Sequence, residues 1–156
     1  MSEQTMRADD AVYGSLASCY ITIDGRRWNF MNIIDFESKY EINVSDVKIL
    51  GRTSMGHKPA GAKGTWSGTA HYNQSIMRTI ALKYKRTGFM SPFEIQVTNE
   101  DPSSAVGRQV ITHMGCLSDT FTLAKFAAGE DLLEEDISGT FDDWDMPEKF
   151  KELAGM

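Results

Sequence analysis

The chain reads as a mainly β protein with one flanking helix (α+β class), an antiparallel barrel or sandwich that extends a long arm. Three observations predict this. Between Met31 and Val44, Ile34, Phe36, Tyr40, Ile42 and Val44 alternate with Asp35, Glu37, Lys39, Glu41 and Asn43. This is the period of two of a strand with one buried and one wet face. The stretch that follows, Gly51 to Lys63, has no periodicity; it carries Gly51, Gly56, Gly61 and Pro59 among Arg52, His57, Lys58 and Lys63. Only one segment has helical spacing, and it has strands on both sides, an order that fits a barrel or sandwich with one covering helix.

Residues 1–14 are polar and read as a flexible arm. Leu16 to Ile23 alternates as a strand, and Asp24-Gly25 then supplies a tight hairpin turn, because a primed turn needs positive φ and Gly accepts it. Arg26 to Phe30 returns, and the long strand to Val44 follows. Val47 to Leu50 is a short apolar strand leading into the arm 51–63, and Lys63 to Tyr72 leads out of it. A helix over about 75–87 follows from Ile76, Met77, Ile80, Ala81 and Tyr84, with Asn73 or Ser75 as its cap. Lys83, Lys85 and Arg86 complement its carbonyl end, and Gly88 suits the C-cap. Further strands are expected at Pro92 to Thr98, Arg108 to Met114, Leu117 to Leu123 and Ile137 to Trp144. Asn99 to Gly107 is a turn-rich connection. The tail 146–156 contains a possible short helix through Phe150 and Leu153.

With 156 residues, 41% of them hydrophobic, the chain has the size of one domain and can bury a real core. No apolar run reaches the roughly 18 residues that cross a bilayer, and the first ten residues lack the apolar stretch of a signal peptide. A soluble protein made in a cytoplasm is expected, with no membrane insertion. Cys19 and Cys116 form no C-x-x-C or metal-ligand pair, so small buried thiols are expected, although a cross-strand disulfide stays open. The net charge of −6 is uneven: residues 130–152 hold ten acids against Lys149 and Lys151, a net of −8, which leaves +2 for the rest. Such a region repels phosphates and argues against gripping nucleic acid, though not against a surface past which DNA slides.

The motifs that would carry chemistry fail on mechanism. Gly51 to Lys58 resembles a phosphate-binding loop, but His57 separates the glycine from the lysine, and Pro59 and Gly61 prevent the helix that would hold the phosphate. His57, His71 and His113 show no ligand spacing. Asp142, Asp143 and Asp145 lack the glycine and glutamate of a calcium loop. No catalytic, cofactor or metal residue is assigned. The surface remains. A long unstructured loop in a compact domain is uncommon unless it has a role. Arg52, Met55, His57, Lys58, Pro59 and Lys63 suit docking on an acidic, partly apolar neighbour. The acidic C-terminal region of an identical copy would serve, in a head-to-tail contact that generates rings or filaments.

Several segments carry a resemblance: the hairpin Tyr20-Ile-Thr-Ile-Asp24-Gly25, the strand from Phe36 to Val44, Gly51-Arg52, the strand Gly64 to Tyr72 leading into the helix, Leu117 to Ala128 with Gly129-Glu130, and Glu135 to Phe141. In order and spacing, across residues 15–145, they resemble the tail tube proteins of contractile-tailed phages and phage-like particles, the core tail-tube family first seen in a defective Bacillus prophage. The N-terminal arm and the tail after Pro147 depart from it. The resemblance implies a β-barrel flanked by a helix and six copies in a ring. It implies rings stacked into a hollow tube and a hairpin arm touching adjacent subunits. The implied partners are the sheath, the tape-measure protein, and the baseplate and tail-terminator proteins, with DNA passing through the lumen unbound. The implied location is the virion tail, assembled in the host cytoplasm. Two alternatives remain, the tube protein of a cellular secretion system and a monomeric β-barrel binding module.

Overall fold

The computed structural model describes residues 6–30, 32–129 and 132–153. The first two strands, β1 (Ala17–Ile23) and β2 (Arg26–Asn29), pair antiparallel with Ile23 opposite Arg26. Asp24 (φ 51°) and Gly25 (φ 79°) form the two-residue turn between them, both left-handed as a primed turn requires. Next comes the longest hairpin, β3 (Ile33–Val47) with β4 (Gly56–His71), then helix α1 (Ile76–Thr87). The chain ends with β5 (Phe93–Glu100), β6 (Arg108–Thr120), β7 (Glu134–Phe141) and β8 (Asp143–Glu148).

Strand order is β2-β1-β5-β6-β7-β4-β3, with β8 also paired to β6. The first half of β6 lies between β5 and β8, and its last residues, Leu117 to Thr120, turn to β7. Because β6 serves both halves, the path folds into two facing layers. One layer is β2-β1-β5-β6-β8 and the other is β3-β4-β7 with the end of β6. The expected barrel is therefore not closed, because β2 and β3 do not pair. Cys19, Ile21, Phe93, Ile95 and Cys116 from the first layer meet Trp66, Ile137 and Phe141 from the second, and Met77 of α1 seals one side. Trp66 stands edge-on to Phe93, with ring centroids 6.0 Å apart. Both cysteines are free, and burial pushes each thiol up to about 12.

Two glycines set the spacing of the second layer. A Cβ on Gly139 would lie 1.8 Å from the carbonyl oxygen of Leu117, and one on Gly64 would lie 2.3 Å from the ring of Phe141. Helix α1 ends as expected, with Gly88 left-handed (φ 71°) and donating to the carbonyl of Tyr84. Ser75 occupies its N-cap position, yet its hydroxyl makes no capping bond. The Arg78 guanidinium instead ties that end down. It donates to Glu135, to the carbonyls of Thr122 and Gln74, and lies over the ring of Tyr72.

Several boundaries differ from expectation. The strands expected at Arg108–Met114 and Leu117–Leu123 are one strand, β6, bent at Gly115, and residues 121–129 lie outside regular structure. Residues 8–14 of the expected flexible arm are tied down where described: the Ser104 hydroxyl donates to the carbonyl of Asp10, and the Tyr13 N–H donates to Asp101. In the tail, β8 runs across Pro147, and residues 149–153 are not helical; the Lys151 N–H donates to the carbonyl of Val106.

Candidate assembly interface

The arm 51–63 is corrected most. It is not aperiodic loop: β3 and β4 stay paired out to Val47 and Gly56, so residues 56–63 are strand and only Lys48 to Met55 form the tip. The register slips between Ile42 and Val44 on β3, opposite Ala60 and Gly61, and Gly61 takes φ 95° there. That bulge and Pro59, tolerable because this part of the strand lacks a second neighbour, hide the period of two. β4 pairs with β7 only from Gly64 onward. The part beyond it is a two-stranded ribbon projecting roughly 23 Å at the usual strand rise.

The candidate residues all lie on this ribbon. Arg52 and Met55 are at the tip; His57 stands opposite Asp46, Lys58 opposite Ser45, Pro59 opposite Val44 and Lys63 opposite Glu41. His57 Nε2 is 3.3 Å from the Asp46 carboxylate, both exposed. Tyr40 packs on the rings of Phe141 and Trp144, and Ile42 and Val44 continue its row outward beyond that cover, with Ala62 and Pro59 across from them. Ile42 is 55% exposed, Val44 58%, and Leu50 at the tip is wholly exposed. An isolated ribbon with an uncovered apolar row has no hydrophobic reason to hold its shape alone.

The ribbon's root, in contrast, is anchored. His113, which the sequence left unassigned, is 1% exposed and bridges the two layers. The Ile95 carbonyl can only accept, so His113 Nδ1 carries the proton and donates to it across 3.0 Å. Nε2 then accepts from the Ser38 hydroxyl of β3 at 2.8 Å. The ring is packed edge-on against Phe36 and Phe141, and burial holds its pKa below the ordinary 6.5. The only signal in the sequence was a histidine at an inward position of a strand.

Two further surfaces complete the geometry. Among the described residues, β2, β3 and β8 each pair on one side only, so each leaves an open edge, and β8 carries Asp143, Asp145 and Glu148. The outward face of β3-β4-β7 is polar: Asp35, Thr69 and Asp136 lie side by side, as do Glu37, Ser67 and Ser138. Among the described residues, no group of three or more His, Cys, Asp or Glu could hold a metal, and no helix is long and apolar enough to cross a membrane.

The model of one family, described as phage tail tube protein, matches residues 4–148. The chain belongs to that family. It is a family of structural tail components rather than of enzymes. The chain is 30% identical over 147 residues to the phage-like element PBSX protein XkdM of Bacillus subtilis (strain 168), covering 94% of this chain and 97% of that one. In the cryo-EM structure of the anti-feeding prophage baseplate, a chain superposes with a TM-score of 0.61 at 12% identity, covering 94% and 97%. In the sheath–tube complex of the extracellular contractile injection system PVC, the values are 0.57, 9%, 82% and 86%. The fold of this tail tube protein is thus shared with chains of contractile injection particles.

Proposed function

We propose that this tail tube protein assembles into hexameric rings that stack as the inner tube of a contractile phage tail or phage-tail-like particle. One observation carries the reading: the ribbon of residues 41–63, whose apolar row and cationic tip have nothing to rest on within the subunit. The ribbon is the principal assembly device, and Arg52, Met55, His57, Lys58, Pro59 and Lys63 contact the neighbouring subunit or the next ring. The open edges of β2, β3 and β8 support the same reading, since ring closure hides edges that would otherwise invite aggregation.

The polar face of β3-β4-β7 suits the lumen wall. Its carboxylates repel DNA and its hydroxyls offer no apolar grip, so a polyanion passes without sticking. The sheath, the tape-measure protein and the baseplate and terminator proteins are the expected partners, and assembly takes place in the host cytoplasm. Negative-stain electron microscopy across a concentration series, with light scattering on the same samples, tests this. Uniform rings or hollow rods are expected. Monomers at every concentration, even with a baseplate extract added, would sink it.

A further inference from the structure

The two layers part between β3 and the β5–β6 pair and leave a cleft of about 360 Å³ at the root of the ribbon. Phe36, Ser38 and Tyr40 of β3 form one wall. Val97 and Asn99 of β5, with Gln109 and Ile111 of β6, form the other, and Phe141 and Trp144 close one end. Asn99 and Gln109 stand opposite each other and bring two side-chain amides into this aromatic and aliphatic space.

Charge selects what the cleft accepts. The strands that bound it are β3 from Asp35 to Glu41, β5, β6 from Arg108 to His113, and β8. Together they carry eight carboxylates against Lys39 and Arg108. Both cations are already engaged: Lys39 lies 3.5 Å from Glu37, and Arg108 is 2.6 Å from Glu148. The ribbon tip is the reverse. Residues 48–58 hold Lys48, Arg52, His57 and Lys58 and no acid. They also present Leu50, wholly exposed on a turn that the Arg52 N–H closes by donating to the Ile49 carbonyl. A second apolar opening, a groove of about 370 Å³ between α1 and the β1–β2 hairpin, has Arg26 and Lys83 at its rim and repels this tip.

Distance decides whose tip the cleft receives. β3 and β4 stay paired out to Val47 and Gly56, which carries the tip roughly 23 Å past Tyr40 at the usual strand rise. A subunit cannot turn that paired ribbon back into the cleft at its own root, but a second copy can fill it.

We propose that Leu50, at the ribbon tip of one copy, seats in the cleft between β3 and the β5–β6 pair of a neighbouring copy, with Lys48 and Arg52 against the carboxylates around it. The inference rests on the tube reading and names the surface on which the ribbon docks. An exposed leucine on a cationic turn is an apolar anchor with complementary charge beside it. The amides of Asn99 and Gln109 pair with peptide groups of the entering turn, which burial would otherwise leave unsatisfied. The contact is head to tail: each copy gives one tip and receives one.

The test mixes Leu50→Cys protein with Gln109→Cys protein under mild oxidation, with Leu50→Cys plus Thr79→Cys as control; Gln109 lines the cleft and Thr79 lines the groove beside α1. The native thiols are buried and do not compete. A mixed disulfide, read by mass spectrometry, is expected from the first pair and not from the control. Leu50→Ala should melt as the parent does and need about a tenfold higher concentration to assemble, as for loss of an interface anchor. Rods from the parent chain without the Leu50–Gln109 link, or with the link at Thr79 instead, would overturn the contact and leave the tube reading standing. Leu50→Ala assembling as the parent does would overturn it whatever the cross-links. The link without rods would keep the contact and sink the tube reading; neither would sink both.

Discussion

The two ends of the β3–β4 hairpin share a backbone ladder and almost nothing else. At the root, Phe36 stacks on Trp66, Ala70 is fully buried and Ser38 is hydrogen-bonded to His113. Beyond Gly64 the same strands carry Ile42, Val44 and Leu50 into solvent. The root obtains its burial inside the subunit, whereas the far end can obtain it only from another molecule. If the ribbon is the assembly device proposed above, folding and assembly are written into different lengths of the same two strands, and substitutions should separate them.

The largest effects belong to the root. Trp66→Ala should cost about 3–5 kcal/mol of stability, read by urea unfolding, because it empties the centre of the core. Ile42→Ser with Val44→Ser should stay within about 0.5 kcal/mol of the parent and yet block rod formation. Equal losses of stability in both variants would erase the comparison. Next comes Gly139→Ala, whose methyl group has no room beside the Leu117 carbonyl. A loss of about 2 kcal/mol or more is expected, as for other overpacked sites.

A pH effect of intermediate size follows from His113. Its folded pKa lies below the ordinary 6.5, so the unfolded chain binds the extra proton first on acidification. This histidine's contribution is complete above about pH 6.5 and is lost as the pH falls from there toward the folded value. A His113→Gln variant should be less stable at pH 8 and flatter between pH 7 and 5 on thermal melting; parallel curves would remove the histidine from the account. The smallest effect is electrostatic. Arg52→Glu with Lys58→Glu should raise the assembly concentration more than Lys83→Glu with Lys85→Glu, the gap closing at high salt. Equal effects at low salt would point to generic charge rather than a docking ribbon.

Much of this division was legible in the residues. Asp24-Gly25 fixed its hairpin through turn chemistry, and the 3.6-residue spacing from Ile76 to Tyr84 with Gly88 placed the helix. The ribbon was legible as an arm but not as strands, because a bulge at Gly61 and a proline at position 59 break the alternation that marks a sheet. Leu117 to Leu123 looked like a separate strand because Gly115 bends β6. His113 could not be found from sequence: its partners Ser38 and Ile95 lie far from it in the chain, and only the folding of one layer onto the other brings them together. The groove between α1 and the β1–β2 hairpin escaped for the same reason, since its walls come from β1, β2, α1 and the turn after the helix.

The most direct measurement replaces residues 43–61 with Asn-Gly, closing the hairpin at the Ile42–Ala62 pair, and examines the variant by thermal melting, light scattering and electron microscopy. The account predicts a subunit that melts as the parent does, remains monomeric and forms no rods. Rods of normal width from the shortened chain would contradict it.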